Sequence, residues 1–317
     1  MSTPSRRDVH VNKLLSNVSN AYRNETYIAD GIMPVVRVNK ATDEVAVYNK
    51  GDWFRDNAAV WAPGTKKPFG DYRLGTPVPY YCEPWSMSKM VTDAVVDNAD
   101  DVYRPAREAA EWATDQVLLS RERRVASLLF STTTFASYYV ACVSLTGGGG
   151  VQWNTTETST PIRDILKMRE IVRSQIGRYP NTIVMGAGVW AALNDHPDFL
   201  DRVKYSQLGI LTTQLFSSIV QIPRVFIGTA VYAASQEGTS TEDTLTDIWS
   251  EYVLTAWVPP APGLLQPALG YIIQQGDRQV QEYRYEEEEA TKYSVTEWVD
   301  ELVIAAMAGY LISDVLA

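Results

Sequence analysis

The chain is poor in the residues that carry chemistry. Its 317 residues include two cysteines and two histidines. Cys82 and Cys142 do not form a C-x-x-C, and His10 and His196 lie far apart in sequence. A zinc site assembled from His and Cys is therefore excluded, because a structural site takes about four such ligands. A disulfide framework is a poor fit to two cysteines at this length, and a reducing compartment is the simpler reading. Long apolar runs are also missing. The longest, Leu302 to Ile312, has 11 residues, whereas a bilayer-spanning helix needs about 20. The first twenty residues, "MSTPSRRDVHVNKLLSNVSN", contain no apolar stretch of the secretory kind, so synthesis in a cytoplasm is expected. Positive charge is scarce as well. The formal net charge is -10, whereas a dedicated nucleic-acid binder needs clustered Lys and Arg.

What is present suits a folded body with sticky surfaces. Hydrophobic residues make up 45% and charged residues 21%, enough for a sizeable core and incompatible with global disorder. Eighteen tyrosines and nine tryptophans suit interfaces as well as cores.

Several short motifs invite a catalytic reading. Thr182 to Met185 is an apolar, β-branched run, and Gly186-Ala187-Gly188-Val189-Trp190-Ala191 then fits G-x-G-x-x-A. A dinucleotide fold would follow this turn with a second parallel strand ending in an acid about 20 residues on. That region reads "KYSQLG", and the next strand-like stretch, Arg224 to Gly228, has no terminal acid. The expectation is a tight strand-to-helix turn, with a nicotinamide-binding enzyme as the weakest alternative. Ser86 to Lys89 matches S-x-x-K, but no K-T-G or S-D-N accompanies it. "TGGGG" (Thr146 to Gly150) lacks the ending of a P-loop and reads as a linker. No G-x-S-x-G occurs. The run Glu286 to Glu289 offers carboxylates to a hard cation, but a solvated face is the reading expected here. The chain thus carries no candidate catalytic, cofactor-binding or metal-ligating residue.

The order of parts is more informative. Residues 1–40 hold six Lys or Arg against three acids and read as an arm, with Thr26 to Val38 able to dock on another surface. Residues 41–92 place strand-like flanks, "EVAVY" and "TPVPYY", around a long aromatic tip rich in Pro, Gly and charge. A loop of this length is unusual inside a compact domain, and its aromatics argue for ordering against a partner. Trp53, Phe54, Trp61, Phe69 and Tyr72 would anchor it, and Arg55, Lys66, Lys67 and Arg73 would meet acids on that partner. Asp100 to Phe130 reads as one long helix capped by Asp100 or Asp101, with a small-residue face at Ala106, Ala109 and Ala113. A second helix runs from Pro161 to a stop at Gly177, with Thr160 as its cap. Strands are expected at Thr182–Met185, Arg224–Gly228 and Thr246–Val258, with a strand-rich end after them.

In this order the parts resemble the major capsid protein of tailed bacteriophages, with the Hong-Kong-97-type capsid fold. "AYRNETYIADGIMPVVRV" looks like the end of that family's arm, and "KGDWFRDNAAVWAPGTKKPFGDYRLG" stands where its extended loop does. Asp100–Phe130 is similar to its spine helix, "YPNTIVMGAGVWAALNDHPDFLDRVKYSQLGILT" to its axial strand and helix, and "IPRVFIGTAVY" and "AGYLISDV" to later strands. The resemblance implies an α+β subunit divided into an arm (1–40), an extended loop with flanking strands (41–92), a peripheral domain (93–160 and 285–317) and an axial domain (161–284). The peripheral domain would receive the C-terminal strand. The resemblance further implies hexamers and pentamers in an icosahedral shell around double-stranded DNA, with no catalysis, no cofactor and no membrane contact. Implied partners are the chain itself, a portal protein, a decoration protein and packaged DNA held by weak, non-specific contact. The arm begins close to Met1, so scaffolding is expected from a separate protein. The implied location is the virion capsid, after synthesis in a bacterial cytoplasm. An encapsulin-type compartment shell is the alternative with the same fold.

Overall fold

The computed structural model describes residues 11–22, 24–45, 54–70, 75–99, 104–145, 150–203, 211–235, 244–260 and 268–316. Two five-stranded sheets dominate it, and one long helix joins them.

The first sheet is organised around a 14-residue strand, Ala290–Val303. One edge of this strand carries the ten-residue strand Glu83–Thr92, antiparallel from Ala290↔Thr92 to Val299↔Glu83. The other edge carries Gly270–Gln275 and Gln279–Tyr285 end to end. Between these two the register shifts by two residues, because Gly276, Asp277 and Arg278 bulge out of the ladder. Gly276 takes a left-handed φ of 69° there, a conformation that favours glycine. The bulge also brings Arg278 to Glu297, with Nε 3.1 Å from Oε2. The arm adds the last strand, Val35–Val38, parallel to Gly270–Gln275.

The second sheet has the order Tyr139–Ala141, Gly309–Ser313, Val253–Ala256, Thr182–Gly186, Arg224–Gly228. Thr182–Gly186 and Arg224–Gly228 are parallel, and the helices Ala187–Asn194, Pro197–Val203 and Thr213–Val220 cross over between them. A parallel pair requires such a crossover. The helix Pro161–Ile176 supplies Ile162, Ile165 and Met168 to the core beneath these strands. It begins with Pro161 and stops at Gly177, whose φ is 69°, as its sequence signals require.

The long helix runs from Pro105 to Leu129. Ala109, Ala110 and Ala113 are fully buried, and Ala110, Ala113 and Val117 pack on Val280 and Val295 of the first sheet. Small side chains let the helix axis approach the sheet closely. Its last turns, with Val125, Ala126 and Leu129, join the core that includes Trp249 and, from the second sheet, Leu254. One helix therefore spans both cores.

Four expectations need correction. The long helix starts at Pro105, not at Asp100, and the expected caps Asp100 and Asp101 lie outside the described residues. Thr160 occupies the cap position of the second helix, but its side chain makes no capping hydrogen bond. Thr246–Val258 is not one strand. It is Leu245–Asp247, a bend through Trp249, and then Val253–Ala256. The C-terminal strand Gly309–Ser313 does not join the long strands. It pairs with Val253–Ala256 and Tyr139–Ala141 of the second sheet, whereas Gly270–Gln275 and Gln279–Tyr285 belong to the first. Hydrophobic patterning marks these segments as strands but does not say which sheet each one enters.

Candidate interaction surface

The glycine turn is built for packing. Gly186 and Gly228 are in register at the ends of their parallel strands. A Cβ on Gly186 would lie 2.5 Å from the carbonyl oxygens of both Trp249 and Ser250. A Cβ on Gly228 would fall inside the Trp249 indole. The two glycines together make a flat seat for Trp249, and the space a pyrophosphate would need is filled by residues 249–250.

The other motifs dissolve in the same way. Ser86 and Lys89 are three apart on a strand, which places them on opposite faces. Ser86 Oγ accepts from Thr296 Oγ1 at 3.0 Å, and Lys89 Nζ lies 5.6 Å from the centre of the Trp112 ring. Glu286–Glu289 form the exposed turn between Tyr285 and Ala290. Among the described residues, no group of three His, Cys, Asp or Glu is placed to hold a metal. No described helix is long and apolar enough to cross a membrane.

One pair looks catalytic at first sight. Buried Ser159 Oγ stands 2.8 Å from His196 Nε2. Nδ1 of the same ring accepts the Asp198 backbone N–H at 3.1 Å. The imidazole proton must therefore sit on Nε2 and point at Ser159, while the serine hydroxyl donates to the Thr155 carbonyl at 2.7 Å. Burial lowers the His196 pKa and keeps the ring neutral. This histidine donates to the serine and cannot take its proton. The pair ties the start of one helix to the next, and the Asp198 carboxylate completes the tie by accepting the Ile162 N–H at 3.2 Å.

Three parts of the chain meet at a carboxylate that the sequence reading passed over. Glu122, on the long helix, is 1% exposed. It accepts the backbone N–H groups of Ile28 and Ala29 at 3.0 and 2.9 Å, and the Trp249 indole N–H at 2.7 Å. Burial pushes its pKa up, although all three hydrogen bonds favour the ionised form. Beside it, Arg121 spans Glu297 and Asp30, and Arg278 bonds both Glu297 and the Ser19 carbonyl. The sequence does hold a signal for this knot. Arg121 and Glu122 fall on the apolar phase set by Leu118, Val125 and Leu129, and a charge on that phase has to be paired or bonded inside.

The segment expected to dock on another surface packs, where described, on its own chain. Ala29, Ile32 and Met33 are buried in this chain's own core. Of the basic arm residues, Arg37 pairs with Asp277 and Lys40 with Asp43, both within the chain.

The aromatic loop remains as the surface without a purpose inside the subunit. Among its described residues, Phe54 is 63% exposed, Val60 103%, Trp61 41% and Phe69 95%. Trp61 folds over the tip, donating its Nε1–H to the Thr65 carbonyl at 2.8 Å, with Lys67 Nζ 5.2 Å from its ring centre. Phe54 lies against Gly177 at the end of the second helix. Arg55 and Lys66 are exposed. Trp53, Tyr72 and Arg73 lie outside the described residues. The flanks pair as strands, Thr42–Val45 with Val78–Tyr81. Its large apolar side chains are thus left open to solvent at the end of the hairpin.

No family model matches the chain. Over 329 residues, 96% of each chain, it is 28% identical to the major capsid protein of Burkholderia phage BcepMu. Its fold matches that of a phage-related protein from Bordetella bronchiseptica with a TM-score of 0.76 and 23% identity, covering 97% of this chain and 98% of that one. It matches the capsid structure of cyanophage P-SCSP1u with a TM-score of 0.57 and 8% identity, covering 92% and 89% of the two chains. The architecture is the Hong-Kong-97-type capsid fold, and the resemblance to tailed-phage major capsid proteins runs along nearly the whole chain.

Proposed function

We propose that this chain is the major capsid protein of a tailed bacteriophage, and that its copies assemble as hexamers and pentamers into an icosahedral shell around double-stranded DNA. The observation that carries this reading is the likeness to the BcepMu capsid protein over 96% of both chains. The exposed aromatic loop supports it, because a subunit that worked alone would gain nothing from leaving Phe54 and Phe69 in water. The role is structural and non-catalytic. Of the expected range 161–284, the strands Thr182–Gly186, Arg224–Gly228 and Val253–Ala256 of the second sheet and their helices would form the axial domain. The long helix and long strands form the peripheral one. The sheet pairing departs from this division, because Gly309–Ser313 pairs in the second sheet and Gly270–Tyr285 pairs with the long strand of the first.

A portal protein, a scaffolding protein and a decoration protein are the partners this role calls for. DNA contact is weak. With a net charge of -10, the free subunit should bind duplex DNA only at low salt and release it near physiological ionic strength. Negative-stain microscopy of the purified chain tests the proposal. Closed, uniform shells are expected, and a monodisperse small oligomer would overturn it. Particles from producing cells distinguish the two kinds of shell. Packaged DNA supports the phage reading, whereas enclosed enzyme cargo supports the compartment alternative.

A further inference from the structure

A cavity of about 550 Å³ lies between the arm and the body. Asn24 and Asp30 line its arm side. Arg121 and Glu122 of the long helix, Gln274 of the first sheet and Arg278 of its bulge line the other.

The carboxylates around this cavity are already engaged. Glu122 is filled by the N–H groups of Ile28, Ala29 and Trp249. Glu297 accepts Nε and Nη2 of Arg121, and its Oε2 also accepts Nε of Arg278. Asp30 accepts Nη1 of Arg121 at 3.0 Å. Arg37, which also lines the cavity, pairs with Asp277 where both are exposed. Two arginines thus share Glu297, and Arg121 has Asp30 as well. Arg278 has no carboxylate to itself among the described residues. Its Nη1 donates to the Ser19 carbonyl at 2.9 Å, and its Nη2 makes no hydrogen bond to a described residue. Burial pulls the Arg278 pKa down, Glu297 offsets this in part, and Arg121 beside it pulls it down again. Burial acts on Arg121 too, but Glu297 and Asp30 outweigh it and raise its pKa.

A second observation is independent of charge. Gln274 alternates with Ile273 and so shares the strand face of Ile272, which belongs to the core that the long helix joins. Gln274 is 8% exposed and lines the same cavity, and its side-chain amide makes no hydrogen bond to a described residue. A buried carboxamide without a partner is costly unless something polar fills the space beside it. Donors without acceptors define what fits there. A guanidinium edge and a carboxamide N–H₂ on one polar space suit an oxyanion, which arginine binds through charge-assisted N–H bonds.

We infer that this cavity is a binding site for a small oxyanion of the phosphate class, held by Arg278 Nη2 and the Gln274 amide. Because arm and body both line the cavity, the bound ion ties one to the other. The site does not depend on the shell reading.

Isothermal titration of the full chain with inorganic phosphate, against chloride at matched ionic strength, should show one saturable site per chain. Amide exchange at Asn24 and Tyr27 of the arm should slow as the site fills. Gln274→Met keeps the length of the side chain and removes its donor, so phosphate affinity should fall by roughly tenfold with the fold intact. Gln274→Glu places a carboxylate in the space of the ion. It should abolish phosphate binding and raise the melting temperature in phosphate-free buffer. A short DNA duplex identifies the source of the oxyanion. If it fails to compete with inorganic phosphate, the site takes a free ion or a small phosphomonoester. If it competes, and loses that ability in Gln274→Glu, the site takes a backbone phosphate; both results uphold the oxyanion site. No saturable phosphate binding, or equal affinity in the wild type and Gln274→Met, would overturn it and leave the cavity to water. A Gln274→Glu chain that melts below the wild type would overturn it as well, since Arg278 would then lack no counter-ion.

Discussion

Gly186 and Gly188 sit two residues apart in one motif, but their surroundings differ. Gly186 faces two backbone carbonyls at 2.5 Å, whereas a Cβ on Gly188 would meet only Leu316, at 3.8 Å. Backbone cannot step aside as a side chain can. Gly186→Ala should therefore cost about 1–3 kcal/mol, and Gly188→Ala should be neutral or gain up to about 1 kcal/mol, both read from denaturant melts. Equal effects would mean that Trp249 does not seat on the glycines as described. Asp164 gives the second residue-scale prediction. It is 1% exposed, its Oδ2 accepts the Trp153 indole N–H at 3.0 Å, and no described group reaches Oδ1. Burial raises its pKa against the pull of that hydrogen bond, Lys167 and Arg163. A carboxyl with a raised folded pKa binds its proton more tightly folded than unfolded. Its contribution to stability is fully present below the unfolded value of about 3.9 and is lost as pH rises through the folded value. Asn keeps an acceptor for Trp153 and cannot ionise. Asp164→Asn should melt like the wild type near pH 4 and above it near pH 7–8. Parallel pH profiles would show that this carboxyl is not the group responsible.

At the scale of elements, the long helix is held where Glu122 collects N–H groups from the arm and from Trp249. Gln keeps the shape but turns an NH₂ toward at least one of those donors. Glu122→Gln should cost about 1–3 kcal/mol, the range for a buried polar group left unsatisfied. Because the arm loses its anchor, amide exchange at Ile28 and Ala29 should speed up more than exchange in the helix core. Uniform acceleration would mean that the carboxylate serves global stability alone. Element boundaries were legible wherever a local signal set them. Pro161 and Gly177 bracket one helix, and "RVFIG" stands as a strand by its own composition. Thr246–Val258 misled because its apolar pattern runs through Trp249. The chain turns there to cover Gly186 and Gly228, residues some 20 to 60 positions earlier.

For the whole molecule, the proposed shell puts the loop to use in assembly and not in folding. Its described contacts with the body are few, Phe54 on Gly177 and the paired flanks among them, while both sheet cores close without it. Replacing Lys50–Arg73 with a short Gly/Ser bridge should leave a soluble subunit with a cooperative melt that forms no closed shells. Normal particles from this variant would remove the loop from the inter-subunit contact. An unfolded product would place it in the subunit core.

The sequence by itself determined the second helix, much of the long helix and several of the strands, that the aromatic loop carries apolar groups it cannot bury itself, and that the order of parts resembles that of a capsid subunit. These properties are local, written in caps, periods and composition. Only the tertiary structure decided that the C-terminal strand enters the second sheet, that Glu122 is buried at a three-way junction, and that Gln274 and Arg278 line one cavity against the arm. Periodicity specifies that a face is apolar and not which other face it meets. That choice depends on close packing between residues far apart in sequence, such as Trp249 on its two glycines.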